Sequence, residues 1–258
     1  MVNFKLGRLP RTFEPGIPHL SALLGAKALL PPPAPSVDYT KGMPARLGPM
    51  LNDSLGDCTC AAYYHARQVW TFNAGKMATE PDRDVEDLYI RACGYDPRKG
   101  GEGPGGVEQK VLTFLLKKGA ATGPRGTVRH RISAFVEVDP RNHDDVKRTI
   151  ADCGVAYIGF NVPANIMPPG APPPATWNVH PGAKIVGGHA VVLAGYDAHG
   201  ARVISWGQYY TMTWDFFAAY VDEAYAIADT AWFNRKTRKS LCGLTLQQLE
   251  KLMRSLQP

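Results

Sequence analysis

The chain has 258 residues, 45% of them hydrophobic and 20% charged, enough to bury the core of one large domain or two small lobes. No apolar run approaches the ~18 residues of a membrane span, and no secretory leader is read at residues 1–8. The formal charge of +6 is scattered, and its densest cluster, Arg235-Lys236-Thr237-Arg238-Lys239, lacks interleaved aromatics and reads as a solvated connector, so neither nucleic acid nor membrane is expected as a partner.

Residues 1–36 form a proline- and glycine-rich arm. Within it Leu20–Leu30 has helical character, and Pro31-Pro32-Pro33-Ala34-Pro35 favours an extended polyproline stretch. Such an arm lies over the body or docks a protein partner. Helices are predicted over 58–74, 84–93 and 107–118, closed by Gly75, a glycine-rich loop from Gly94 to Gly106, and Gly119. Asp57 or its loop is positioned to cap the first of them.

The period then changes. Ile132–Val138 alternates as a strand, 143–152 reads as a helix capped by Asn142, and Val155–Val162 is a strand. A proline-rich loop fills 163–184. A glycine turn at Gly187-Gly188 opens a buried strand, His189–Tyr196, followed by another over Arg202–Trp206. A helix is predicted over 213–222, a strand over 223–233, and an amphipathic helix over 245–256 capped by Thr245. Asp222-Glu223 reads as a solvated, capping pair near a helix end. Helices followed by strands give an α+β fold.

The cysteines are 58, 60, 93, 153 and 242. Cys58-Thr59-Cys60 is neither a C-x-x-C redox motif nor half of a zinc site, so no metal or cofactor is expected. Free thiols point to a reducing, cytoplasmic setting, with virion association left open. Cys58 differs from the others in its setting, since it follows a turn-rich loop, Asn52-Asp53-Ser54-Leu55-Gly56-Asp57, and opens a helix. A helix N-terminus and a nearby imidazolium both lower a thiol pKa. His189, beside two glycines, is the candidate imidazole. Asn52 offers an amide to a developing oxyanion, and Gly56 lets a ligand backbone come close. Cys60 is the alternative nucleophile in a shifted register. Cys60, Cys93, Cys153 and Cys242 read as structural, and His65 as packing or surface.

From about residue 37 to 207 the order of these pieces resembles the papain-like cysteine peptidases. Val37-Asp38-Tyr39-Thr40-Lys41-Gly42 resembles the family's Val-Asp-Trp-Arg-x-x-Gly opening. Asn52 stands six residues before Cys58, where the family has its oxyanion-hole glutamine, and Gly56 stands two before it. Gly105-Gly106 resembles the segment whose backbone pairs with extended substrate. Gly187-Gly188-His189-Ala190-Val191 through Gly195-Tyr196 is similar to Gly-x-His-Ala-Val-x-x-x-Gly-Tyr, and Ser205-Trp206-Gly207 to Asn-Ser-Trp-Gly.

The resemblance implies a two-lobe fold with a cleft between a helical lobe (37–128) and a strand-rich antiparallel lobe (129–235). The arm at 1–36 and a connector and tail at 236–258 are additions, and the arm lacks the long charged helices of a family propeptide. It also implies a thiol peptidase, or a related acyl-transfer enzyme, acting on extended peptide through a thioacyl intermediate. Cys58 would be the nucleophile, His189 the base, Asn52 the oxyanion donor, and Gly56, Gly105, Gly106, Gly188 and Trp206 the substrate-binding residues. The chain departs from the family at the asparagine that orients the histidine. By the Trp-Gly alignment its place is Ile204, and by distance from His189 it is Ser205. Leu55 and Thr59 likewise replace a family cysteine and tryptophan. The lost orienting asparagine, the shorter oxyanion amide of Asn52 and the two proline-rich segments, which suit docking, support the alternative of a non-catalytic papain-like module in a larger assembly such as a phage particle.

Overall fold

A computed structural model describes residues 4–12, 17–20, 33–123, 126–233, 245 and 247. The helices read at 20–30 and 245–256, the basic cluster at 235–239 and Cys242 lie wholly or largely outside the described residues. The first lobe packs three helices, α1 (Cys58–Asn73), α2 (Asp82–Cys93) and α3 (Glu108–Lys117). Glycine ends two of them as expected, since Gly94 and Gly119 take left-handed φ values of 78° and 76° that a side chain disfavours. A two-stranded hairpin, β2 (Ala120–Thr122) with β3 (Val128–His130), follows.

The second lobe is one eight-stranded sheet. Its elements are β4 (Ala134–Glu137), β5 (Ala156–Pro163), β6 (Thr176–Trp177), β7 (Ile185–Tyr196), β8 (Gly200–Ser205), β9 (Gln208–Thr213) and β10 (Val221–Ala228). The strand order is β4-β10-β5-β7-β8-β9-β6, with β1 (Val37–Asp38) paired to the far end of β7. All pairs are antiparallel except β6 with β9. The helix α4 (His143–Cys153) crosses between β4 and β5 and starts as predicted, with Asn142 Oδ1 accepting from Asp145 N at 3.3 Å. A short α5 (Trp214–Tyr220) is capped by Thr213.

Three readings change. The helix predicted over 213–222 is only α5, and Asp222-Glu223 belongs to β10, with Glu223 buried. Gly187-Gly188 is not a turn but part of β7, paired with Val162 and Asn161 of β5. The Asp57 side chain makes no cap hydrogen bond, although Asp57 is the N-cap residue of α1.

The helix α1 joins the lobes. Cys58 to Trp70 are all buried, because β7 covers one side and α2 and α3 the other. Two buried bonds tie it to the sheet lobe: Trp70 Nε1 donates to Cys153 O at 2.7 Å, and Tyr157 Oη donates to Thr59 O at 2.8 Å. Aromatics as deeply buried as Trp70 and Tyr157 are each worth on the order of 3–5 kcal/mol by truncation. The N-terminus of α1 is thereby held rigidly against β7. No described helix is long and apolar enough to cross a membrane.

Candidate functional site

Cys58 is the first residue of α1, so its backbone N–H has no partner within the helix. The loop before it is pinned by Gly56 N donating to Glu102 O at 2.7 Å and by Asn52 Nδ2 donating to Leu55 O at 3.0 Å. The thiol is buried against β7. Burial pushes its pKa up to about 12, against the opposing pull of the Ala190 and Gly7 backbone N–H groups. Ala190 is the residue after His189, so the thiol meets the β7 backbone next to His189, while the imidazole makes its hydrogen bond to Ser205 and none to the thiol.

His189 is held on three sides. Its Nε2 lies 2.7 Å from Ser205 Oγ, its ring stacks on Trp206 at 4.4 Å between centroids, and Phe160 meets it edge-on at 5.8 Å. Its Nδ1 is buried with no hydrogen-bond partner. Burial lowers its pKa to about 3, with a smaller push from His65, which lies two turns along α1 from Cys58. Ile204 is buried in β8 opposite Val192 and Tyr209, so Ser205 is the residue that meets the imidazole. Trp206 and Gly207 both take positive φ, 49° and 70°, in the tight turn from β8 to β9. That turn lays the indole over the His189 ring.

The cleft is occupied by the chain's own arm. Residues 4–9 run through it extended. Gly7 N and Arg8 N both donate to Gly188 O, at 3.3 and 3.1 Å. On the other wall Gly106 N donates to Gly7 O at 2.8 Å, and Leu9 N donates to Gly106 O at 2.9 Å. Lys5 N donates to Asn52 O at 3.0 Å, Phe4 stacks on Trp206 at 4.8 Å, and Trp206 Nε1 donates to Lys5 O at 3.2 Å. Gly7 crosses directly over Gly56, and a Cβ there would overlap the Gly56 carbonyl. The next segment, residues 17–20, lies along β4, where Glu137 N donates to Pro18 O.

Gly56, Gly105, Gly106, Gly188 and Trp206 therefore all border the strand of chain that fills the groove. Gly188 and Gly105 lack the side chain that would strike the Arg8 and Gly7 carbonyls. The described residues of the arm lie over the body, the first of the two roles that composition allows, and their route through the cleft has no sequence signature.

Composition also gave no sign of two buried acids. Asp57, beside the thiol, has both carboxylate oxygens buried without partners, and burial holds its pKa well above the usual range. Between the unfolded and folded pKa values the native state binds the extra proton, so Asp57 costs stability as pH rises above ~4. Asp57→Asn is therefore expected to raise the melting temperature at pH 7, by about 2–4 °C for each kcal/mol relieved, with the gain disappearing near pH 3.5. A pH-independent change measured by scanning calorimetry would contradict this. The second acid, Glu108, lies at the start of α3, fully buried beside the arm.

Cys60 Sγ lies 4.0 Å from Cys93 Sγ, the two joined by no disulfide, and Cys153 is buried. His65 is buried, with Nδ1 2.9 Å from Gln68 Oε1, and burial lowers its pKa to about 4. Among the described residues no group of three or more His, Cys, Asp or Glu is disposed to hold a metal ion.

No protein-family model matches the sequence. No curated protein matches it. Solved structures do. Xylellain, a cysteine protease from Xylella fastidiosa, superposes with a TM-score of 0.64 over 88% of this chain and 97% of its own, at 16% identity. Digestive procathepsin L 3 from the larval midgut of Tenebrio molitor gives 0.56 over 88% and 76%, at 12% identity. The Carica candamarcensis cysteine protease CMS1MS2, solved with E-64, gives 0.52 over 76% and 99%, at 14% identity. At these identities the likeness is one of fold.

Proposed function

We propose that this chain, which has the two-lobe fold of the papain-like cysteine peptidases, is a thiol hydrolase that cleaves extended peptide and is held closed by its own arm. The observation that carries the reading is the arm itself: an extended peptide, hydrogen-bonded to Gly106 on one wall and Gly188 on the other, crosses the Cys58 thiol.

In this mechanism His189 Nδ1 takes the proton from Cys58 Sγ. The thiolate then bonds to the substrate carbonyl carbon, and the oxyanion is met by the Cys58 N–H and the Asn52 amide. The C–N bond breaks as His189 returns the proton to the leaving amine. Water next hydrolyses the thioester, with His189 again as base. The leaving amine belongs on the His189–Trp206 side and the acyl part on the Gly106 side, so a productive substrate runs from Gly106 toward Trp206. The arm runs the other way, from Phe4 at Trp206 to Leu9 at Gly106. Its carbonyls are therefore not presented for cleavage, and its burial of the thiol and imidazole keeps both neutral.

The alternative of a non-catalytic adaptor draws on one observation: the Asn52 amide donates to Leu55 O, committing one of its two hydrogens to the loop. Labelling separates the two readings. An epoxysuccinyl thiol probe at neutral pH is expected to modify the full chain slowly at Cys58, with the adduct lost in Cys58→Ala and located by peptide mass spectrometry. A Cys58 that stays unmodified even after the arm is dislodged would leave only the adaptor.

A further inference from the structure

Arg8 of the arm is the most deeply buried cation of the cleft, its side chain 1% exposed. It enters a pocket walled by three carboxylates from two elements. Nε lies 3.3 Å from Glu108 Oε1 of α3, and Nη2 lies 3.0 Å from Glu223 Oε2 and 2.5 Å from Asp222 Oδ1 of β10. Glu108 and Glu223 are 0% and 1% exposed, while Asp222, at 43%, stands at the mouth. The floor is Gly159 of β5, where a Cβ would overlap both Arg8 Nε and Glu108 Oε1. Hydrogen bonding in the pocket is incomplete on both sides: Glu108 uses neither oxygen, Glu223 Oε1 has no partner, and Arg8 Nε faces Glu108 as an ion pair without a hydrogen bond. Burial, more than the charge of Glu223, raises the pKa of Glu108. Burial pulls Arg8 down, but the three acids outweigh it and leave Arg8 raised.

Two buried carboxyls are costly to build into a cleft wall. Locking an arm in place would need only one of them, or an apolar contact. The pocket also sits at a defined distance from the chemistry. Gly7 faces the thiol and Arg8 is its neighbour toward Gly106, the wall that receives the acyl part of a substrate.

We infer that the Glu108–Asp222–Glu223 pocket is a guanidinium subsite that selects peptides with arginine as the second residue on the acyl side of the scissile bond, a place that Arg8 occupies in the closed chain. The inference rests on the peptide-cleft reading above. Lysine fits less well, since its point charge cannot reach Glu108 along Nε while also meeting the β10 acids from Nη2.

The test separates binding from turnover. The full chain carrying Cys58→Ala and Arg8→Ala, which empties the pocket but cannot cleave, is titrated with a blocked tetrapeptide bearing arginine, lysine or citrulline at that position. Arginine is expected to bind at least ~30-fold more tightly than citrulline, which keeps the shape and loses the charge, and the preference should collapse when Gly159→Ala fills the floor. If Arg8→Ala does not fold, Arg8→Gln serves instead, because it keeps a polar side chain on the arm and takes the charge out of the pocket. Equal affinity for arginine and citrulline overturns the proposal. Arginine-selective binding with no cleavage of any peptide by the chain with native Cys58 supports the pocket and removes the hydrolase. Cleavage without arginine preference removes the pocket and leaves the hydrolase.

Discussion

Gly7→Val raises the rate of Cys58 alkylation about 10- to 100-fold. Gly7 crosses Gly56 so closely that a first side-chain carbon would overlap the Gly56 carbonyl, and both partners are backbone that cannot rotate aside. Overpacking of this kind costs about 1–3 kcal/mol, and the middle of that span, about 1.4–2.8 kcal/mol, converts to a 10- to 100-fold rise in the population of chains with the arm lifted. The loop beneath cannot yield, since Gly56 N is bonded to Glu102 O and Asn52 to Leu55 O. The arm must therefore move, although Arg8 and Phe4 still anchor it on either side. Lifting it returns water to the thiol, and the burial that pushes Cys58 up to about 12 is relieved. The alkylation rate of the variant should then rise with pH through a lower midpoint than that of the native chain. Alkylation kinetics followed by mass spectrometry check this, with circular dichroism to show that the variant is folded. A folded Gly7→Val chain that reacts no faster than the native one would mean that the arm does not guard the thiol.

The elements around the site were legible to different degrees, for physical reasons. Helix α1 and the strand carrying His189 could be read because their own periodicity and their flanking loops mark them. The Asn142 cap of α4 is likewise a local signal. What failed was non-local. Gly187-Gly188 reads as a turn by composition, but its glycines serve close approach, since side chains there would meet Leu6 and the Arg8 carbonyl. Asp222-Glu223 reads as a solvated pair because its partner, Arg8, is more than two hundred residues away in sequence. The strand β9 has no counterpart among the predicted elements, as its alternation is carried by tyrosines and threonines that suit strand or loop alike. The choice between Ile204 and Ser205 could not be made by alignment alone. It follows from β8 geometry: alternate residues face opposite sides, so with Ile204 turned into the core Ser205 faces the cleft.

That geometry bears on how well His189 can act. Replacing His189 with alanine is expected to lower the rate constant for peptide cleavage by about 10²- to 10⁴-fold, the usual worth of a positioned base. Ser205→Ala should cost far less, on the order of 10-fold, for two reasons. The ring keeps its Trp206 stack and Phe160 edge, so its position survives the loss of the hydroxyl. A serine hydroxyl can also donate or accept, whereas an amide carbonyl only accepts. Ser205 therefore holds the ring without dictating which nitrogen carries the proton, and the tautomer with a bare Nδ1 is only one of two it supports. Removing the hydroxyl costs the orienting bond of a group that was never fully committed. The two variants should differ in more than size of effect. His189→Ala should abolish the acidic limb of the rate–pH profile, because no imidazole remains to titrate. Ser205→Ala should keep that limb and shift it, with KM little changed. Stopped-flow or steady-state profiles on the Gly7→Val background, where the cleft is open, read both. A Ser205→Ala loss as large as that of His189→Ala would show that the hydroxyl commits the tautomer after all.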